Sequence, residues 1–284
     1  MKKSKILCLG IALVAPLFCH AEDVEDRYGT WTEIGVTKEL PKNFSVGLNT
    51  EIRAQEDARW SLGGSLDYKP IKYLKFGASY NFIYRYKPEN RREHYRDDII
   101  DDDHWDGYNV RDAYWSPRHR ASLDVTGTVK LWKWLRISVR ERYQFTRNSP
   151  MEVNDTKYRF NKIYNSNDEF LGYEPKRGYP EVEVDEREDK NSNVLRSRLK
   201  LEVDKKGWDL SPFVSCEAHN NLNIGNRMIL EKVRSSAGLE YKVSKKHKIS
   251  LAYILTCDIH DDEGALERIH GRTHAFNIGY DFKF

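Results

Sequence analysis

The sequence predicts an all-β fold: a transmembrane, antiparallel, up-and-down barrel of about 10–12 strands with long extracellular loops. Three observations carry this. Segment after segment alternates apolar and polar side chains with period two, over the roughly 9–11 residues a tilted strand needs to cross a membrane. The connections alternate between short turns and long polar stretches. The last segment, HAFNIGYDFKF, places Phe276, Ile278, Tyr280, Phe282 and Phe284 on one face and mostly small or polar residues on the other.

The first strand, around Thr30 to Leu40, is the weakest. From Phe44 the pattern sharpens: Val46, Leu48 and Ile52 oppose Ser45, Asn49, Glu51 and Arg53. Trp60, Leu62 and Leu66 then oppose Ser61, Ser65 and Asp67, and Leu74, Phe76, Tyr80 and Phe82 oppose Lys75, Ser79, Asn81 and Arg85. Ile83 is one apolar residue on that polar side. Leu123 and Val125 oppose Ser122 and Asp124, while Ile137, Val139 and Tyr143 oppose Ser138, Arg140 and Arg142. Leu195, Leu199 and Leu201 oppose Arg196, Arg198 and Glu202; Val214 and Cys216 oppose Ser215 and Glu217. Val233, Ala237 and Leu239 oppose Arg234, Ser236 and Glu240; Ile249, Leu251 and Tyr253 oppose Ser250 and Ala252. Most of these runs exceed the about 5–6 residues of an average soluble strand.

Short turns are expected near Pro41-Lys42-Asn43, Pro70-Ile71-Lys72, Trp132-Lys133-Trp134, Lys205-Lys206-Gly207 and Ser244 to His247. Long polar loops run from Lys87 to Pro117 and from Arg147 to Lys190, and medium ones lie near Asn220 to Met228 and Asp261 to Ile269. Such asymmetry fits periplasmic turns on one side and extracellular loops on the other. About eleven strands can be counted, whereas bacterial single-chain barrels normally have an even number, so the parity stays open.

The amino terminus reads as a signal peptide over residues 1–21: Lys2, Lys3 and Lys5, the apolar run Ile6 to Phe18, then Ala21 at the cleavage position. The remaining chain, 22–284, forms the barrel. Lipidation at Cys19 is disfavoured by the bulk of Phe18 before it. Of the 47 basic residues three lie in the leader, which leaves 44 against 44 acidic ones. That balance argues against nucleic acid as a partner, which would need a basic face. Cys216 and Cys257 fall on the apolar faces of two strands with a third between them, too far apart to bridge. Two free, lipid-facing thiols are expected.

The aromatic final strand resembles the signal through which Gram-negative outer-membrane barrels are recognised and inserted, with Tyr280, Phe282 and Phe284 as its face. The stretches TWTEIGVTKELPKNFSVGLNTEIR and RWSLGGSLDYKPIKYLKFGASYNFIY, with VLRSRLKLEVD and EKVRSSAGLEYKVSKKHKISLAYIL further on, resemble the outer-membrane barrel family numbered 2490 among domains of unknown function. The likeness spans nearly the whole mature chain. It implies an outer-membrane location, with membrane lipid and the barrel-assembly machinery as partners. It implies no activity and transfers no functional residues.

Candidate site residues come from the polar faces: Glu51, Arg53, Asp67, Arg85, Asp124, Arg140, Arg142, Arg196, Arg198, Glu202, Glu217, Arg234 and Glu240. In a barrel these point into the lumen, as a plug of paired charges or as the lining of a narrow, porin-like channel for small solutes. The acidic run Asp97 to Gly107 lacks the spacing of a calcium loop, because His104 takes a ligand slot and Ala113 stands where a closing Glu would be. No metal, cofactor or phosphate-binding motif stands out. The alternative is an embedded hydrolase at the extracellular rim. Its candidates are His274, which has no flanking Ser, and His260 with Asp261 and Asp262 near His94 or His104. His119 and Ser122 are three apart and so face opposite ways.

Overall fold

The computed structural model describes residues 24–96, 104–223, 227–260 and 268–284. The expected leader lies outside them. The chain divides into two compact units, one formed by Met1–Ile83, Arg118–Arg147 and Asn191–Phe284, the other by Tyr84–Pro117 and Asn148–Lys190.

The strands, in chain order, are β1 (Glu25–Glu39), β2 (Phe44–Ala54), β3 (Arg59–Ile71), β4 (Leu74–Lys87), β5 (Asn90–Tyr95), β6 (Trp105–Arg111), β7 (Tyr114–Leu131) and β8 (Leu135–Asn148). There follow β9 (Met151–Tyr164), β10 (Phe170–Pro175), β11 (Glu181–Arg187), β12 (Lys190–Val203), β13 (Leu210–Asn221), β14 (Ile229–Lys242), β15 (His247–His260) and β16 (Arg268–Lys283).

Eleven of them close into a barrel in the order β1-β16-β15-β14-β13-β12-β8-β7-β4-β3-β2. Barrel strands run from 11 residues in β2 to 18 in β7. The odd count has a geometric consequence. In an up-and-down ring of odd number the first and last strands point the same way, so they can close only in parallel. They do: β1 pairs β16 in parallel from Glu25↔Gly271 to Thr37↔Lys283. The wholly antiparallel barrel expected from the sequence is corrected at this one seam. The neighbouring ladders β1–β2, β2–β3, β12–β13, β13–β14, β14–β15 and β15–β16 are antiparallel.

The short turns fall where the sequence puts them. Lys42 and Asn43 adopt φ of 61° and 63°, in a one-turn 3-10 segment, Pro41–Asn43. Trp132 and Lys133 adopt φ of 49° and 60°, and the Trp134 amide donates to the Leu131 carbonyl at 3.3 Å. Two left-handed residues in succession give a tight hairpin turn whose twist matches that of its strands.

The second unit holds a five-stranded sheet of order β10-β9-β6-β5, with β11 also on β9. This corrects the reading of residues 87–117 and 147–190 as polar loops. Cross-strand aromatics hold the sheet: Trp105 stacks on Phe160 at 5.7 Å and meets Tyr173 edge-on at 4.6 Å, while Tyr108 stacks on Tyr158 at 4.8 Å.

In the barrel wall the usual order of a folded protein is reversed. Leu48, Leu123 and Phe276, on the outer face, are 65%, 62% and 65% exposed. Ser122, Asp124, Glu217 and Thr256, on the inner face, are buried. Ile83 is the exception already visible in the sequence, and it is buried on the inner side. Cys216 and Cys257 are free thiols. Cys257 is only 2% exposed, which corrects its expected outward accessibility. Val233 and Arg272 are its register partners on either side.

Candidate functional site

The barrel encloses a polar cavity of about 650 Å³. Alternation places its lining: β1 contributes Trp31 and Glu33, β2 Glu51 and Arg53, β7 Arg120, Ser122 and Asp124, and so on round the ring. The candidates Glu51, Arg53, Asp67, Asp124, Arg140, Arg142, Arg196, Arg198, Glu217, Arg234 and Glu240 all line it. Arg85 and Glu202 do not. Arg85 belongs to the second unit. Glu202 is buried and accepts from Arg136 Nη1 and Lys200 Nζ, both at 2.9 Å.

Two regions of the lining differ. Toward the long connections the basic groups are all arginines. Glu51 accepts two hydrogen bonds from Arg53, at 2.8 and 3.0 Å, and two from Arg59, at 3.2 and 2.5 Å. Glu217 is held by Arg140 Nη2 at 2.7 Å, Arg196 Nε at 3.1 Å and His219 Nε2 at 2.8 Å. Asp124 takes a forked pair from Arg142, at 3.1 and 2.7 Å. Two guanidiniums approach the Trp31 ring, Arg53 at 3.5 Å and Arg234 at 4.9 Å from its centroid. Its indole N–H donates to Gln55 Oε1 at 3.1 Å.

Toward the short turns the basic groups of the cavity are lysines, each matched. Lys75 meets Asp67 at 3.2 Å, Lys200 meets Glu240 at 2.6 Å, and Lys248 meets Glu240 at 3.4 Å and Asp281 at 3.2 Å. Beyond the cavity, in the turn after β12, Asp204 accepts from Lys130 Nζ at 2.9 Å and also binds Arg136. The Lys130 hydrogen bond, aided by the nearby Arg136 and Lys242 charges, holds the Asp204 carboxyl below its usual range.

Sequence reading missed Arg59, Arg120, Glu33 and Trp31 as lining residues. The alternation could have found two of them: Arg59 stands two before Ser61, and Arg120 two before Ser122, both inward.

Among the described residues, the partners of His94, His119 and His274 are not serines. His274 shares a hydrogen bond with the Tyr253 hydroxyl at 2.6 Å, approaches Asp26 at 3.3 Å and stacks on Tyr28 at 5.1 Å. His119 bonds the Tyr80 hydroxyl at 2.6 Å, and His94 meets Asp106 at 2.7 Å in the second unit. The His260 side chain, Asp261 and Asp262 lie outside the described residues, as do residues 97–103 of the acidic run. Among the described residues no group of three or more His, Cys, Asp or Glu side chains is arranged to hold a metal ion.

Of the C-terminal aromatics, Tyr280 bonds His247 at 2.6 Å, Phe282 packs against the His247 ring at 5.0 Å, and Phe284 stacks on Phe282 at 5.7 Å. The Phe284 amide donates to the Thr37 carbonyl at 3.0 Å, and its own carbonyl accepts from Glu39 at 3.3 Å, so the last residue fastens onto β1.

Fold and cavity together define a closed β-barrel with a charged interior. The chain belongs to the family described as "Protein of unknown function (DUF2490)", which it matches over residues 28–259. No curated protein matches it. Among solved structures it is similar to the translocator domain of autotransporter NalP from Neisseria meningitidis, at 11% identity over 88% of each chain, with a TM-score of 0.29.

Proposed function

We propose that this protein is an integral barrel of the Gram-negative outer membrane whose lumen binds small solutes and passes them through a narrow channel. The observation that carries this reading is the inverted wall: large apolar side chains lie exposed round the outside while a charged cavity lies within. A face of exposed leucine, isoleucine and phenylalanine is costly in water and stable in hydrocarbon. The amino-terminal leader delivers the chain, and Tyr280, Phe282 and Phe284 present it to the barrel-assembly machinery. The bore suits small solutes, and its paired charges set a tight passage.

Two measurements test the proposal. Expressed without residues 1–21, the chain should require detergent or lipid; a monodisperse monomer with a cooperative melt in plain buffer would refute the membrane reading. Refolded into planar bilayers, it should give discrete small conductance steps; silent bilayers containing folded protein would refute the channel.

A further inference from the structure

We propose that the arginine-rich part of the lumen is a binding site for small multivalent oxyanions bearing carboxylate or phosphate groups. The inference deepens the solute-binding reading above and rests on it for the site being solvent-accessible.

The argument begins with charge. The cavity lining carries eleven basic and seven acidic side chains, an excess of four positive charges. The lysines balance their acids: Lys75, Lys200 and Lys248 face Asp67, Glu240 and Asp281. All of the excess therefore falls among the arginines. There the carboxylates are shared, Glu51 between Arg53 and Arg59 and Glu217 between Arg140 and Arg196.

Three guanidiniums in the cavity make no ion pair among the described residues: Arg120, Arg198 and Arg234. Arg120 donates to the Thr146 hydroxyl at 3.3 Å, and Arg234 to the Thr256 hydroxyl at 3.3 Å. A guanidinium cannot shed its charge at any ordinary pH. Confining several of them without counter-charge costs free energy, and an anion seated among them returns it. The guanidinium fork matches the paired oxygens of a carboxylate or phosphate, which lysine does not. The cavity volume also suits a small molecule rather than a chain segment. The buried Trp31 ring lies against both the Arg53 and the Arg234 guanidinium and forms an apolar part of the wall.

The test uses the full mature chain folded in detergent, titrated calorimetrically with citrate, pyrophosphate, sucrose and putrescine. At least one of the two anions should bind saturably, and sucrose and putrescine should not. Citrate alone would assign a carboxylate ligand, pyrophosphate alone a phosphate one. Arg120→Gln and Arg198→Gln should each weaken binding about tenfold. Arg198→Lys, which keeps the charge but loses the fork and serves if the glutamine variant misfolds, should still weaken binding by at least about threefold. Lys205→Gln, at an exposed turn, should change nothing. Binding of neither anion, or binding indifferent to both glutamine variants, overturns the proposal. Silent bilayers with citrate or pyrophosphate still bound would remove the channel and keep the site. Conductance without anion binding would remove the site and keep the channel.

Discussion

The two faces of the barrel wall are made by the same backbone from alternate residues of the same strands, yet they are stabilised in opposite ways. On the inner face a polar side chain is stable because of its neighbours: Glu217 is buried between two arginines and His219, and Asp124 by a forked arginine. On the outer face a side chain makes few contacts, and the medium must suit it. The difference teaches that an inner substitution is judged by the partner it abandons and an outer one by the solvent it meets.

Four experiments bear on that contrast. The largest effect should come from Glu217→Gln, which leaves Arg140 and Arg196 short of a counter-charge and should cost about 3–5 kcal/mol in refolding titrations. A neutral outcome would mean that water, not Glu217, solvates those arginines. Next is Leu123→Arg, which on the proposed membrane reading sets a guanidinium into hydrocarbon and should cost about 2–4 kcal/mol, against about 1 kcal/mol for the adjacent Ser122→Arg inside. Equal costs would erase the distinction between the faces.

Asp204→Asn, in a turn beyond both faces, should cost about 1 kcal/mol at neutral pH. Its carboxyl is lowered in the folded chain, so its contribution is complete above the unfolded carboxylate range, about pH 4, and fades as pH falls through the folded value. The gap between wild type and variant should therefore close in acid; a gap that persists at pH 2 would assign the effect to packing. The smallest effect is a difference in rate. Apolar maleimides should label Cys216 well ahead of Cys257, and equal labelling would show that Cys257 is not shielded.

Much of the barrel was legible because its two faces differ in polarity with period two. Where one face of the wall is apolar and the other lines a polar lumen, every second residue reports its side, and β2 to β4 and β12 to β16 follow from that alone. The second unit left no such trace. NRREHY in β5 and WDGYNVR in β6 are polar on both faces, and β6 finds its partner β9 far along the chain, as in Asn109↔Lys157. The lumen was legible as a list of charges but not as a map. Which carboxylate serves which guanidinium depends on pairs far apart in sequence, such as Arg140 with Glu217, and on inward residues that precede the apolar run, such as Arg59 and Arg120.

The parallel seam between β1 and β16 has a consequence for assembly. Its two strands lie at opposite ends of the barrel sequence, so closing the clasp carries the largest loop-closure cost of any rung in the ring. Until it closes, both rims of the curled sheet offer unpaired amides and carbonyls to any strand that passes. Parallel bonds are slanted and slightly weaker than antiparallel ones, which makes this clasp the natural place for the ring to part sideways. A disulfide across it, between cysteines placed at Thr32 and Ile278, would show whether the finished ring ever does.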